Sequence, residues 1–596
     1  MKIAYLNPWE NAAENQAYFS LAAAARRLGH ELVDCRTATD TERAAPEFVI
    51  SVASSVPKVV DIPSYLTLHE PTKRFLENEF YLKNLLTYDG FLTISDGLKD
   101  FARDLAFDSG WSCDAGFYYN TPQMVDFRTD IVSLAQQDRL RIVYIGTNWD
   151  QRLPDLFRTL DDFNVVRIHG PNGSWERHQH NSYGGPLPFD GISPQKAYAG
   201  NGIGLVLLSA DHLREDIISN RIFEISGAGA LAICPGTPWI RKWFGTSVLY
   251  YEPGAPAVTI ARQILEHYQF CRRNPERAQQ MADRARTIFE RHFAGERMLE
   301  NAINYHHRIR ALKRSRLKQM GEPPRISVIV RCGGRPASMV AEAVDSIRRQ
   351  TFGRFSVILS KYTQIDLSSI TSRAGGSIEA VSEVLTEGGG RAETLLAGCR
   401  AVDTEYFAIL DDDDYWLSNH MESLFAAGKM ADPAFDVAFS GTICDHEETT
   451  QIERSLWWDR NIYTFGFRAR PESAADVTRE FASNCFVARS ELIVPECLDV
   501  PHMESAEDSL LIAMVTRRKP PVFSFHATAF FRRSKTGQSD FANSPSRNRD
   551  LRSFHLRTST VMSPYWINSS SLELFKEKPD ALRAPAVVIE AGDAPA

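Results

Sequence analysis

The sequence feature that most constrains the fold is a short apolar run that ends in four consecutive acids. Tyr406–Leu410 are apolar or aromatic, which is typical of a buried strand, and Asp411–Asp414 follow directly. Adjacent carboxylates repel one another unless positive charge lies among them. A hard cation, Mn²⁺ or Mg²⁺, prefers such oxygen ligands, so Asp411 and Asp413 are candidate metal ligands. The alternative is a solvated acidic turn that caps the next helix.

Length and composition exclude several classes of protein. The chain has 596 residues, which is too many for a single core, and its net charge of −8 gives no sign of a nucleic-acid partner. Nine cysteines without a C-x-x-C pair argue against a disulfide framework or structural zinc. A first strand at Ile3–Leu6 leaves no room for a signal peptide, and no apolar run approaches about 20 residues. We therefore expect a cytoplasmic protein with at most peripheral contact to the inner face of the plasma membrane.

Strand and helix patterns alternate in a rhythm typical of α/β folds with parallel sheets. The rhythm restarts at Arg141–Thr147, where a strand runs into a glycine turn, and again after Pro324. The predicted domains are two Rossmann-like lobes at 1–138 and 139–305, a basic linker at 306–324, a mixed α/β domain at 325–575 and a disordered tail at 576–596. The basic linker either contacts anionic lipid head groups or is the solvated end of the preceding helix.

Residues 325–535 resemble family-2 glycosyltransferases of the GT-A fold. The matching segments, in the family's order, are Ser327–Val330, Arg335-Pro336, Ala343–Ile347, Gln350–Phe352 and Glu405–Asp414. The resemblance implies that the diphosphate of a nucleotide sugar binds a metal at Asp411 and Asp413, with Asp412 as a donor contact. Two departures from the family pattern are Ser360-Lys361, where acids usually hold the nucleoside, and Leu395-Leu396 before Gly398.

The same resemblance implies a catalytic base, Asp508, in the later pair Glu507-Asp508. A carboxylate there would take the proton of the acceptor hydroxyl, giving inverting chemistry. Arg532 is available to hold the diphosphate. The alternative for Glu507-Asp508 is an ordinary acidic first turn of a helix.

Residues 1–300 resemble GT-B glycosyltransferases, particularly the spore-protein CgeB-like branch. The matching stretch is Asn220–Ala230, with Asp216 eight residues before Glu224. The resemblance implies that Glu224 accepts hydrogen bonds from the ribose of the donor, with Asp216 and Arg221 as further donor contacts. It also places His69 near the sugar as a catalytic residue and Arg152 at the diphosphate, without a metal. The alternatives are a loop histidine and a surface arginine.

Together these resemblances imply a bifunctional glycosyltransferase of the hexosyltransferase type. Its donors would be UDP-, GDP- or dTDP-sugars, and its acceptor a growing glycan, a lipid-linked glycan or a protein of the bacterial surface. The first half would retain and the second invert the anomeric configuration. One alternative keeps a single catalytic module and makes the other an acceptor-binding platform. Another is a nucleotidyltransferase, which would release pyrophosphate from a nucleoside triphosphate.

Overall fold

The structure of the chain is a computed structural model. It describes residues 1–8, 12–58, 60–77, 79–108, 114–147, 154–175, 182–372, 374–386, 390–445, 463–465, 482–494, 507–516, 518 and 521–532. The tail predicted at 576–596 lies outside these residues. Two compact units divide the chain, with a boundary between Ala311 and Leu312. No described helix is long and apolar enough to cross a membrane.

The first unit begins with a parallel sheet in the order β2-β1-β3-β4-β5. Its strands are β1 (Lys2–Leu6), β2 (Glu31–Cys35), β3 (Phe48–Ser51), β4 (Ser64–Thr67) and β5 (Gly90–Leu92). Its helices are α1 (Ala12–Arg27), α2 (Ala38–Ala44), α3 (Thr72–Leu76), α4 (Glu79–Leu85) and α5 (Asp96–Asp108). The strands are short, and apart from the edge strand β2 they are mostly apolar and buried, as expected of a parallel sheet covered on both faces.

A second parallel sheet in the same unit has the order β10-β9-β8-β6-β7. Its strands are β6 (Arg141–Ile145), β7 (Val166–His169), β8 (Gly202–Leu205), β9 (Leu231–Pro235) and β10 (Leu249–Tyr251). Its helices are α6 (Ile131–Gln136), α7 (Pro154–Asp162), α8 (Ser193–Asn201), α9 (Ala210–Arg214), α10 (Arg221–Gly227), α11 (Pro238–Phe244), α12 (Ala257–Arg273) and α13 (Pro275–His292). In both sheets the first strand lies between the second and the third, so both lobes have the same topological switch point.

The next helix, α14 (Gly295–Met320), begins in the first unit and contains the unit boundary. Near its start it packs back on the first lobe, where the Tyr305 hydroxyl accepts a hydrogen bond from the Phe91 amide at 3.1 Å. His306 is buried and hydrogen-bonds the Tyr65 hydroxyl at 2.9 Å; burial lowers the pKa of His306 to about 4. His306 is therefore neutral at pH 7 and does not add to the basic surface that the sequence predicted.

The far end of α14 contributes to the second unit. Glu422 is fully buried there, and its carboxylate ion-pairs with Lys313 at 3.1 Å and with Arg316. The Thr351 hydroxyl donates to the same carboxylate at 2.8 Å. Two cations of the predicted basic linker thus compensate a buried charge within the second unit, and the linker is helical as far as Met320.

The second unit is built on a mixed sheet in the order β13-β12-β11-β14-β18-β16-β19-β15, with β17 beside β16. Its strands are β11 (Arg325–Cys332), β12 (Arg354–Lys361), β13 (Ile378–Leu385), β14 (Tyr406–Asp411), β15 (Tyr415–Trp416), β16 (Val437–Asp445), β17 (Tyr463–Phe465), β18 (Phe486–Arg489) and β19 (Val522–Arg532). Its helices are α15 (Ala337–Arg348), α16 (Ser368–Thr371), α17 (Arg391–Arg400), α18 (His420–Ala431) and α19 (Glu507–Val515). The predicted α/β fold class is confirmed, with parallel sheets first and a mixed sheet second.

Candidate active sites

The candidate site of the second unit lies where the strand order of its sheet reverses. β11 is flanked by β12 on one side and by β14 on the other, and all three strands are parallel. Arg331, near the end of β11, is the register partner of Asp411 at the end of β14. Ligands of open α/β sheets bind beyond the carboxyl ends of strands at such a switch point. The four acids are therefore at the ligand-binding edge of the sheet.

Arg331 connects the acids of β14 to the acidic pair that begins α19. Its Nε and Nη2 donate to Asp411 Oδ1 and Oδ2 at 2.6 and 2.7 Å, and its Nη1 donates to Glu507 Oε1 at 2.5 Å. Asp508 Oδ2 lies 3.6 Å from Nη2. The arginine side chain is 7 % exposed, and a charge buried to this extent needs such compensation. The acids that the sequence assigned to metal and to base are thereby brought together.

Two more arginines contribute to the same cluster. Arg391, the first residue of α17, donates from Nε to Glu507 Oε1 at 2.9 Å. Arg335, in the loop after β11, pairs through Nη2 with Asp413 Oδ2 at 2.8 Å. The positive charge that four adjacent carboxylates require is thus supplied partly by the protein itself.

This compensation is uneven. Although burial opposes it, the Arg331 guanidinium holds the pKa of Asp411 below its ordinary value. Burial, together with the charge of Asp413, raises the pKa of Asp412 to about 7. Burial and the charge of Asp411 also raise the pKa of Asp413, despite Arg335. Asp411 is therefore ionised and compensated by Arg331, whereas Arg335 compensates the charge of Asp412 and Asp413 only in part.

An added divalent cation fits this pattern of charge. Asp412 and Asp413 offer only oxygen ligands, which Mg²⁺ and Mn²⁺ prefer, and a cation would relieve the repulsion that raises their pKa values. Among the residues that the structure describes, no group of three or more His, Cys, Asp or Glu side chains is arranged to hold a metal ion.

Asp414 and Arg532 stabilise the surroundings of the cluster. Asp414 is buried and accepts hydrogen bonds from Asn484 Nδ2 at 2.7 Å and from the Arg532 amide at 3.0 Å. The Arg532 guanidinium pairs with Glu342 at 2.8 Å and lies 4.6 Å from the centre of the Tyr415 ring. The diphosphate role of Arg532 stays a prediction, because its charge is already compensated in this structure.

The end of β12 departs from the family pattern in a way that the sequence did not anticipate. Lys361 is buried, and its ammonium pairs with Glu383 on the neighbouring strand β13. Ser360 is buried as well and donates to the Thr394 carbonyl at 2.7 Å. Glu383 of β13 therefore lies beside the end of β12, where it is already paired with a cation.

The candidate site of the first unit is centred on α10, which carries Arg221 and Glu224. Glu224 is buried, and burial raises its pKa to about 7, although Arg221 opposes this effect. The Arg221 side chain donates to the Ile145 carbonyl and lies 5.0 Å from the centre of the Tyr144 ring. A Cβ on Gly146 would lie 2.2 Å from Arg221 Nη2, so only glycine permits this approach. The site is at the carboxyl end of β6, the switch-point strand of the second lobe.

His69 follows β4 and reaches α10 through aromatic contacts. The ring of His69 packs edge to face on the Tyr119 ring, with 4.9 Å between the ring centres. The Tyr119 ring centre lies 6.0 Å from that of Phe223, the residue before Glu224. Burial lowers the pKa of His69 to about 4, so the ring is neutral at pH 7. Neither ring nitrogen has a hydrogen-bond partner within the described residues. The structure thus brings His69 to the Glu224 region with both nitrogens available.

Of the two remaining predicted donor contacts of the first unit, the structure describes Asp216 but not Arg152. Asp216 has a left-handed backbone, with φ of 51°, and its Oδ2 accepts a hydrogen bond from the Trp239 amide at 2.8 Å. This contact supports the start of α11, and Oδ1 is buried without a hydrogen-bond partner in the described part of the chain. Arg152 lies outside the described residues. The donor-binding roles of both residues stay predictions.

Sequence reasoning missed the arginines of the second site. Arg331 lies near the end of an apolar strand. An arginine at such a position indicates a nearby acidic partner, because buried arginines are almost always paired. The partner could not be named, since Asp411 and Glu507 are far from Arg331 in the sequence.

Two family models match the chain. One, described as glycosyl transferase-like, matches residues 134–313, and the other, glycosyl transferase family 2, matches residues 327–492. The first covers the lobe with Glu224, and the second runs from β11 past β18 and includes Asp411–Asp414. No curated protein matches the sequence.

Solved structures that match this chain include three of TarS from S. aureus. The complex of its residues 1–349 with UDP-GlcNAc has 15 % identity and a TM-score of 0.32, covering 41 % of this chain and 69 % of that one. The complex with UDP has 17 % identity and a TM-score of 0.29, covering 39 % and 65 %. A structure of TarS itself has 16 % identity and a TM-score of 0.28, covering 43 % and 50 %. On the two family matches, the chain carries a GT-B-like glycosyltransferase domain followed by a family-2 glycosyltransferase domain.

Proposed function

We propose that the chain is a bifunctional glycosyltransferase with one donor site in each unit. Each site would take a nucleotide sugar and pass the sugar to a glycan, a lipid-linked glycan or a protein. The second unit carries the stronger support: Arg331 joins Asp411, the first of the four consecutive acids, to Glu507 and lies 3.6 Å from the proposed base Asp508.

In the second unit, Asp508 is the proposed base. Its side chain is 27 % exposed, so an acceptor hydroxyl can reach it, and a carboxylate can take the proton of that hydroxyl as the bond to the anomeric carbon forms. The resemblance implied Asp411 and Asp413 as metal ligands, but both oxygens of Asp411 already accept hydrogen bonds from Arg331. Asp413, with Asp412 beside it, would therefore hold Mn²⁺ or Mg²⁺, and the ion would absorb the charge that develops on the leaving nucleoside diphosphate. Direct attack on the donor carbon would invert its configuration.

In the first unit, Glu224 is the proposed ribose acceptor. A carboxylate can accept from two vicinal hydroxyls at once, and α10 holds Glu224 beside Arg221. Arg221 would compensate the diphosphate without a metal, since a guanidinium matches phosphate oxygens in bidentate geometry. His69, neutral at pH 7, would hydrogen-bond the transferred sugar through a ring nitrogen. Transfer by this unit would retain the anomeric configuration of the sugar.

Donor binding to the full-length chain tests this proposal first. Thermal shift with UDP-, GDP- and dTDP-sugars, with and without Mn²⁺, should reveal a donor that raises the unfolding temperature as its concentration rises. Asp508→Asn should keep that shift but lose the Mn²⁺-dependent transfer, because a carboxamide cannot take the proton. Transfer that survives in Asp508→Asn would remove Asp508 from the mechanism.

The platform alternative predicts a different result from the same assays. If one unit only binds the acceptor glycan, all turnover should be lost by substitution in the other unit alone. One observation favours a platform role for the second unit. At the end of β12, where the family usually has acids that hold the nucleoside, this chain has Lys361, whose ammonium is paired with Glu383. Release of pyrophosphate from a nucleoside triphosphate would instead favour a nucleotidyltransferase.

A further inference from the structure

Arg331 and Glu507 are charged groups in the second site to which the proposed chemistry assigns no role. The three guanidinium nitrogens of Arg331 all reach carboxylate oxygens, two of them on Asp411 and one on Glu507. The Glu507 side chain is only 3 % exposed and is shared with Arg391. Burying this much paired charge is costly, so a function for the arrangement needs explanation.

We propose that Arg331 is a positioning residue, whose fixed charge locks the start of α19 against β14 and keeps Asp411 out of the exchangeable metal site. The inference rests on the proposed function of the second unit. Asp508 is the residue after Glu507 on α19, so the lock fixes the base relative to the acids after β14. The divalent cation is then left to Asp413, with Asp412 beside it.

The geometry distinguishes the two arginine–aspartate pairs. Arg331 meets Asp411 in a bidentate pair, which is both strong and directional, and its side chain is 7 % exposed. Arg335, which pairs with Asp413, is 25 % exposed, so water competes more effectively for that pair. A cation can therefore replace Arg335 at Asp413 more easily than it can replace Arg331 at Asp411.

Metal binding tests the division between the two aspartates. Mn²⁺ is titrated into the full-length chain without donor, and free Mn²⁺ is measured by electron paramagnetic resonance. Asp411→Asn should bind Mn²⁺ within about threefold of the unmodified chain. Asp413→Asn, the matched control, should lose about tenfold or more in affinity. Equal losses in both variants, or no Mn²⁺ binding by the unmodified chain, would overturn the assignment of the cation to Asp413 rather than to Asp411.

Kinetics and amide exchange test the lock. Arg331→Lys keeps the charge but not the planar fork, so we expect kcat of Mn²⁺-dependent transfer to fall about tenfold while the donor KM changes little. Arg331→Gln should lower kcat further, and a donor KM that stays unchanged reports that the second unit is still folded. Unchanged kcat in both variants would refute the lock.

Hydrogen exchange separates failure of the lock from failure of the proposed function. In Arg331→Gln the amides of 507–515 should exchange faster, whereas Arg335→Gln should leave them unchanged, whether or not any donor is turned over. Equal exchange in the two variants would show that Arg331 does not hold α19. If exchange is faster in Arg331→Gln but the unmodified chain transfers no sugar, the lock is retained and the proposed function of the second unit is rejected.

Discussion

Arg331 and Asp411 are register partners in neighbouring parallel strands, and the guanidinium of one spans both carboxylate oxygens of the other. Arg331→Met would leave Asp411 and Glu507 as buried carboxylates that have lost a partner. We expect the free energy of unfolding of the second unit to fall by about 3–5 kcal/mol. Urea denaturation followed through exchange in β11 and β14 measures the loss. Adding Asp411→Asn should recover part of it; no change in Arg331→Met would mean that the pair contributes nothing.

The two proposed sites should fail independently. Asp413→Ala should abolish the Mn²⁺-dependent transfer and leave metal-independent transfer intact, because Asp413 is the carboxylate with too little compensating charge. Glu224→Ala should do the reverse. Product analysis with and without a chelator separates the two reactions. Loss of both reactions from either single change would contradict two separate sites.

Donor binding by the first unit should depend on pH. Burial raises the pKa of Glu224 to about 7, against 4.5 for a free side chain, so between these values the folded chain binds the extra proton. The free energy of unfolding therefore falls as pH rises through that window. Ribose hydroxyls prefer the ionised form, so donor affinity should rise about tenfold from pH 6 to pH 8. Calorimetric titration checks this, and Glu224→Gln should remove the dependence.

Gly146→Ala should weaken the first site without unfolding it. The added methyl would meet the Arg221 guanidinium, which is the end of a flexible side chain and can move away. The free energy of unfolding should change by less than about 1 kcal/mol, while Arg221 loses its place beside Tyr144 and the donor binds more weakly. Gly200→Ala, with no atom within 4 Å of the new methyl, is the matched control. Equal donor affinity in the two variants would exclude a role for the position of Arg221.

The sequence predicted those parts of the fold that depend on local patterns. The apolar strands Ile326–Val330 and Tyr406–Leu410 were placed nearly to their observed bounds, because a buried parallel strand is a continuous apolar run. The sequence from Pro256 to Tyr305 has helical spacing of its apolar residues throughout, and the structure divides it near Asn274 and Gly295 into α12, α13 and the start of α14.

What the sequence could not predict depends on partners that are distant along the chain. β13 was missed because its residues are charged and largely exposed, and only its pairing with β12 makes it a strand. The positive charge that compensates the acid cluster was expected to come from a metal ion. Much of it comes instead from three arginines, Arg331, Arg335 and Arg391. No local pattern indicates which distant acid such an arginine will meet.

The ion pairs of Glu422 have a practical consequence for anyone who divides this chain. Lys313 and Arg316 lie before Pro324, where the composition suggests that the second half begins. A fragment cut there would retain Glu422 in its interior without its two countercharges, and breaking a buried pair in this way typically costs about 3–5 kcal/mol. Such a fragment would be inactive because it is destabilised, whatever the function of its active site. A fragment that starts upstream of Lys313 would keep both cations in the same polypeptide as Glu422.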